Sequence, residues 1–282
     1  MKAFLGMGLL GANFVRAMIA KGDQVQVWNR TLQKAKELEQ YGAKAFDAVT
    51  DAVKGADVIH VTLKDDATVD EVLNAAQPAM KPGAIIIDHT TTSAAGAVQR
   101  TNDWKARGFT YLHAPVFMGP SNALDGTGTM LVSGDPDVIK KLEPQLSLMT
   151  GKLINVGAGP GKAASMKLVG NAFLVTFTAG IADTLMLAKA LEIPVSDVSA
   201  LFDNWNPAAM LPARLKRLTS GSYSDPSWKL TMARKDTQLF IDAATKGGTQ
   251  LSMLPAIAGL MDKWIAKGHG DDDWTVIAKD AR

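Results

Sequence analysis

Three glycines, Gly6, Gly8 and Gly11, punctuate the apolar opening Ala3-Phe4-Leu5-Gly6-Met7-Gly8-Leu9-Leu10-Gly11. A G-x-G-x-x-G that directly follows a short apolar run predicts a strand, a tight turn and a helix. Gly6 permits the turn, Gly8 lets a phosphate approach the backbone, and Gly11 lets helix and strand pack closely. The unpaired N–H groups at the helix start then favour an anion, so Gly6, Met7, Gly8, Leu9, Leu10 and Gly11 are candidate dinucleotide contacts. Phe14, Val15, Met18 and Ile19 recur at helical spacing, and Gly22 follows as a stop. The next strand, around Val25-Gln26-Val27-Trp28, ends in Asn29-Arg30-Thr31. An acid at that point would grip ribose hydroxyls; Asn, Arg and Thr suit a 2′-phosphate instead, which points to NADP(H).

Lys2 ahead of the apolar run to Val15 imitates a leader peptide, but the glycine spacing favours the strand–turn–helix reading. The 282 residues are enough for two domains. The formal net charge of +2 comes without a basic stripe, so nucleic acid is not an expected partner. With no cysteine, disulfides and thiol nucleophiles are excluded, a zinc site is not expected, and a cytoplasmic location fits. The apolar stretch 168–182 is shorter than the ~20 residues of a membrane span and is bracketed by Lys167 and Asp183. It reads as a buried helix, with no membrane partner.

Apolar runs at 43–46, 57–62, 84–88, 109–114, 129–133 and 152–156 predict strands. They alternate with helical stretches at 32–40, 67–79, 93–107 and 136–149. That rhythm predicts a doubly wound, mostly parallel sheet. It stops at Gly157-Ala158-Gly159-Pro160-Gly161, and one long helix is then expected up to Pro194. Helices at 195–202, 210–218, 228–245, 252–267 and 273–281 follow. The expected division is an α/β domain over 1–160 that binds the cofactor and an all-α domain over 161–282 for substrate and dimerisation. Trp205, in a helix-breaking turn, could line the pocket or pack a dimer, with core packing the favoured reading.

Lys167 and Asn171 are four residues apart and share a helix face. A lysine there can pass a proton to a carbonyl oxygen while hydride reaches the carbon. Spacing alone favours a solvated lysine and a buried capping asparagine over this role. The competing proton donors are fewer than they look. Tyr41, Tyr111 and Tyr223 have no lysine four residues on. His60 reads as a satisfied core residue, His89 and His113 as structural residues at strand ends, and His269 as a turn residue. No paired-histidine metal motif and no G-x-S-x-G occur. Lys167 remains the best proton carrier.

These residues resemble the β-hydroxyacid dehydrogenases, a family that includes 3-hydroxyisobutyrate dehydrogenase and the glyoxylate/succinic semialdehyde reductases. The resemblance spans nearly the whole chain. It implies a Rossmann-type domain followed by an all-α domain, carbonyl reduction with a nicotinamide cofactor, and at least a homodimer or homotetramer. The run 158–171 is similar to the family motif G-x-x-G-x-G-x-x-x-K-x-x-x-N, with Ala158 and Ala163 replacing two glycines. The match implies that Lys167 is catalytic and Asn171 binds substrate. It further implies cofactor contacts from Leu63, Lys64, Thr91 and Lys235, the last within Lys235-Asp236. The family's substrate loop, D-x-P-V-S-G-G, appears here as His113-Ala114-Pro115-Val116-Phe117-Met118-Gly119. Phe117 and Met118 stand where serine and glycine would hold a carboxylate. Phe117, Met118, Gly119, Ser121 and Asn122 are the candidate substrate contacts. The alternatives are C=N reduction, as in imine reductases of similar architecture, and a non-catalytic NADPH sensor.

Overall fold

The computed structural model describes residues 1–281. β1 (Lys2–Leu5) leads through the glycine turn into α1 (Leu9–Ala20), followed by β2 (Val25–Trp28), α2 (Leu32–Lys36), β3 (Lys44–Phe46) and α3 (Val49–Val53). Next come β4 (Val58–Val61), α4 (Asp66–Ala76), β5 (Ile85–Asp88), α5 (Ala94–Ala106) and β6 (Thr110–His113). These strands form one parallel six-stranded sheet in the order β3-β2-β1-β4-β5-β6. The strand order reverses at β1, so the glycine turn emerges at the point where open α/β sheets bind ligands.

Alternation along each strand builds the layers. Phe4, Val27 and Ile87 face one helical layer with Phe14, Val15 and Met18, while Ala3, Leu5, Ile59 and Ile86 face the other with Val69 and Leu73. Burial on both faces explains why these strands read as continuous apolar runs.

The expected single sheet is corrected in its last part. β7 (Val116–Phe117), β8 (Thr129–Val132) and β9 (Lys152–Asn155) form a separate three-stranded sheet, in which β7 runs antiparallel to β8. The chain reverses through α6 (Pro120–Asp125), which packs against α1, and α7 (Pro136–Ser147) joins β8 to β9.

α8 (Lys162–Ala190) is the expected long helix, with 29 residues. The chain forms two compact units, Met1–Ala172 and the part from Phe173 onward, with the boundary inside the α8 sequence. The second unit contains α9 (Val195–Asn204), α10 (Leu211–Ser220), α11 (Leu230–Lys246) and α12 (Leu254–Trp264). Its core is Tyr223, Leu230, Ala233, Met261, Trp264 and Val276. Asp183 of α8 accepts the backbone N–H groups of Ser252, Met253 and Leu254 at 2.6, 2.8 and 3.0 Å, so a carboxylate caps the start of α12. The expected helix 252–267 is realised as α12 followed by a π-helical turn over Ile265–His269, and Gly268 at φ +88° leaves the helical region at its end.

Two further expectations are corrected. The stretch 168–182 is not buried: Val169, Phe173, Leu174, Val175 and Phe177 are exposed, because the chain offers this face no packing partner. α8 is also the one described helix long and apolar enough to cross a membrane by length and composition. Trp205 is 59% exposed and stacks on Phe202, with ring centroids 6.0 Å apart, instead of joining a core.

Candidate active site

The glycine turn has the shape a dinucleotide requires. Gly6 sits at φ +103°, and a Cβ there would lie 2.1 Å from the Thr62 carbonyl oxygen. At Gly11 a Cβ would lie 2.0 Å from the Gly6 carbonyl oxygen. Gly8 has nothing within 4 Å of its virtual Cβ, so the backbone is open on the side from which a phosphate approaches. Gly8 caps α1 without a side-chain hydrogen bond and no acid occupies the first turn, which leaves the helix start free for an anion. The Met7 N–H donates to Asn29 Oδ1 at 3.0 Å, and Asn29 Nδ2 donates to the Thr31 carbonyl. Asn29 therefore ties the glycine turn to the end of β2.

A cavity of about 440 Å³ opens here, lined by Gly6, Gly8, Leu9, Leu10, Asn29, Arg30, Thr31, Leu63 and Lys64 among others. Met7 is buried beneath it. Lys34 also lines the cavity and was missed in the sequence, although it falls three residues after Thr31 on a helix face. The residues present fit a phosphorylated dinucleotide: an open helix start, a glycine cradle, and the cations Arg30 after β2 and Lys34 on α2. Thr91 is exposed in the loop after β5. Lys235, on α11, pairs with Asp236 at 2.9 Å.

The loops after β4 and β5 are fastened by buried groups. Arg100 of α5, with its side chain 3% exposed, donates to Asp66 at 2.6 Å, Asp70 at 3.2 Å and the Tyr111 hydroxyl at 3.0 Å. Tyr111 donates to Asp88 Oδ2 at 2.6 Å, whose other oxygen accepts the Thr90 N–H. The Thr90 hydroxyl accepts the Leu63 N–H at 3.0 Å, and Asp66 accepts the Ser93 N–H. Burial first, then the Asp88 carboxylate, pushes the Tyr111 phenol well above its usual range, so it stays a donor.

Three of the four histidines, His60, His89 and His113, belong to the sheet interior, while His269 sits in the turn after α12. His89 Nδ1 donates to the Ala114 carbonyl at 2.8 Å, so its Nε2 accepts from His60 Nδ1 at 3.1 Å. His60 is thereby left with an unpartnered Nε2, which corrects the expectation that it is satisfied. His113 donates from Nε2 to the Thr90 carbonyl. Burial holds these three histidines below the usual imidazole range, His89 down to about 4.

Lys167 and Asn171 meet as their spacing predicts, with Nζ donating to Oδ1 at 3.0 Å. Lys167 is only 8% exposed, and this burial lowers its pKa from the usual lysine value. The Phe117 ring lies over it, 4.3 Å from centroid to Nζ. In the loop beyond, Met118 packs against the core, Ser121 is exposed, and Asn122 Oδ1 accepts the Gly119 N–H at 2.9 Å. Asn122 Nδ2 donates to the Thr127 hydroxyl, so its amide is committed to the loop itself. No group of three or more metal-ligating side chains occurs among the described residues.

Known proteins bear on this geometry. Residues 2–157 match the family described as the NAD binding domain of 6-phosphogluconate dehydrogenase. Residues 159–282 match the NADPH-dependent reductive aminase-like C-terminal domain. A 3-sulfolactaldehyde reductase of Escherichia coli is 26% identical over 286 residues, covering 99% of this chain and 95% of that protein. A probable 3-hydroxyisobutyrate dehydrogenase of Mycobacterium tuberculosis is 27% identical, covering 98% and 95%. An imine reductase from Myxococcus stipitatus in complex with NADP+ shares the fold with a TM-score of 0.92 at 22% identity, covering 100% of both chains. The first match takes in more than half of the chain, and the chain belongs to the β-hydroxyacid dehydrogenase family of NAD(P)-dependent oxidoreductases.

Proposed function

We propose that the protein is an NADPH-dependent reductase that converts the carbonyl of a small aldehyde or keto acid to an alcohol, with Lys167 as the proton donor. The observation that carries this is the buried Lys167 ammonium, fixed by Asn171, in the same compact unit as the glycine cradle. The cofactor, when bound, supplies hydride to the carbonyl carbon. Gly6 to Gly11 would hold its pyrophosphate, and Arg30, Thr31 and Lys34 the 2′-phosphate. Leu63, Lys64 and Thr91 border the remainder, with Lys235 a further cofactor contact from the helical part. Lys167 protonates the nascent alkoxide in reduction and accepts the proton back in oxidation. Its lowered pKa brings it closer to working pH, where a proton carrier acts best. Asn171 holds Nζ in one place, which keeps the donor aimed. Phe117, Met118, Gly119, Ser121 and Asn122 form the substrate side.

In this reading residues 1–160 carry the cofactor, and 161–282 carry the substrate-side helices and the subunit contact. Phe177, Ile181, Leu185, Val195, Val198 and Phe202 border an apolar cavity of about 770 Å³ between α8 and α9. An apolar surface of this kind marks an interface. We assign it to a second copy in a homodimer or homotetramer, which light scattering on the purified protein tests. The location is cytoplasmic.

The test of activity is NADPH consumption over a panel of semialdehydes, keto acids, ketones and cyclic imines, for wild type and Lys167→Ala. Turnover of carbonyls that disappears in the variant supports the reading. Turnover confined to imines would replace it with C=N reduction, the second reading, which the C-terminal family match favours. Tight NADPH binding without any turnover would leave a sensor.

A further inference from the structure

A protonated lysine has three N–H bonds to offer. At Lys167 one is taken by Asn171 Oδ1 at 3.0 Å. A second side of the ammonium is covered by the Phe117 ring, whose π face attracts the cation at 4.3 Å. One donor direction is left, enough for a single oxygen.

α8 contains a notch for that ring. A Cβ on Gly170 would lie 2.4 Å from Phe117 Cζ and 2.7 Å from Cε1. Gly170 stands inside a helix with no positive φ, where alanine would be preferred by roughly 1 kcal/mol. The backbone has no need of a glycine here; the ring does. Within the loop that carries Phe117, the Gly119 N–H and both ends of the Asn122 amide are already bonded to the loop itself and do not replace the missing clamp. At Lys167 a carboxylate brought beside the reacting carbonyl would meet the apolar Phe117 ring and one remaining donor that the carbonyl oxygen also needs. Burying a charge without a partner is costly.

We propose that Phe117 and Gly170 act as one specificity-determining pair. With the ring seated in the glycine notch, Lys167 holds only the carbonyl oxygen. The site then selects aldehydes and ketones whose reacting carbon is flanked by alkyl or aryl groups over those bearing a nearby carboxylate. This rests on the reading of Lys167 as the proton donor of a carbonyl reductase, and it narrows that reading's substrates from aldehydes and keto acids to the uncharged carbonyls.

The experiment uses two matched pairs in which a methyl group is exchanged for a carboxylate: butanone against 2-oxobutanoate, and 2-methylpropanal against 2-methyl-3-oxopropanoate. kcat/KM with NADPH is measured for wild type, Phe117→Ser, Gly170→Ala and the double variant. Wild type should favour the uncharged member of each pair. Each single substitution should move the ratio toward the acid by roughly 10- to 150-fold, the worth of one hydrogen bond to a charged group. Gly170→Ala does this with residue 117 unchanged, because the new methyl displaces the far end of the ring, and it improves helix propensity. The double variant should shift no further than the larger single effect, since both remove the same contact. A wild-type preference for the acids, or a ratio that Gly170→Ala leaves unmoved, overturns the proposal alone. Absence of turnover for all four carbonyls in every variant overturns the reductase reading and the proposal with it.

Discussion

Replacing Lys167 by methionine separates what the ammonium does for chemistry from what it does for the fold. Methionine keeps an unbranched apolar stem of similar length, so the packing around α8 is preserved. The variant loses the donor hydrogen-bonded to Asn171 at 3.0 Å and held beneath Phe117. Loss of a positioned general acid should lower kcat by roughly 10²–10⁴, or about 3–5 kcal/mol of barrier. Stability should move the other way. Burial lowers the Lys167 pKa, so the folded chain binds this proton less tightly than the unfolded chain, where lysine titrates at 10.5. The penalty for burying the charge is full below the folded-state pKa and lifts as pH rises from there through 10.5. At pH 7 the methionine variant should melt no lower than wild type. The wild-type reduction rate should fall as pH rises through the lowered pKa, while the oxidation rate climbs. Steady-state NADPH kinetics across pH, cofactor binding by fluorescence and thermal melts read all three effects. A variant that binds NADPH normally and turns over within a few-fold of wild type refutes Lys167 as the donor. A clear drop in melting temperature at neutral pH refutes the burial argument.

Three other perturbations are informative. Arg30→Ala should reduce the preference for NADPH over NADH by roughly 10- to 150-fold while leaving NADH kinetics nearly unchanged, the worth of a charge-assisted bond to the 2′-phosphate; parallel losses with both cofactors would count against it. Gly11→Ala places a methyl 2.0 Å from the Gly6 carbonyl oxygen, which is backbone and cannot swing aside. It should cost about 1–3 kcal/mol in denaturant unfolding and weaken NADPH binding as well. His89, held at about 4 by burial against the usual 6.5, contributes stability above pH 6.5 that is lost as pH falls toward 4. The loss should be roughly 3 kcal/mol, and His89→Leu should flatten this part of the pH–stability curve.

The six parallel strands were legible because each is a short apolar run between helices of regular period. β7 was not, since Val116 and Phe117 are too few to show alternation and the chain reverses just after them. The helical span of α8 was legible but its burial was not. Apolar residues around a helix look alike whether they face their own core or wait for another surface. Lys167 and Asn171 were legible as an i, i+4 pair. The ring over Lys167 was hidden because Phe117 comes from a different strand, although a glycine in mid-helix at 170 was a local sign of crowding. Lys34 was passed over for lack of a motif, and the Arg100 contacts for their distance in sequence, 30 residues to Asp70 and 34 to Asp66.

The Arg100 fastening has a consequence for cofactor affinity. Segments that border a ligand are often loose until it arrives, and the entropy of ordering them is then subtracted from the binding free energy. Here the Leu63 and Thr90 backbones are anchored through Asp88, Tyr111 and Arg100 to the sheet, so their order is established during folding. Binding and global stability thus draw on the same buried charges. A substitution at Asp66 or Tyr111, neither of which lines the glycine-turn cavity, should raise the dissociation constant by returning that ordering step to the moment of binding. Saturating cofactor should in turn restore much of the melting temperature that such a substitution removes.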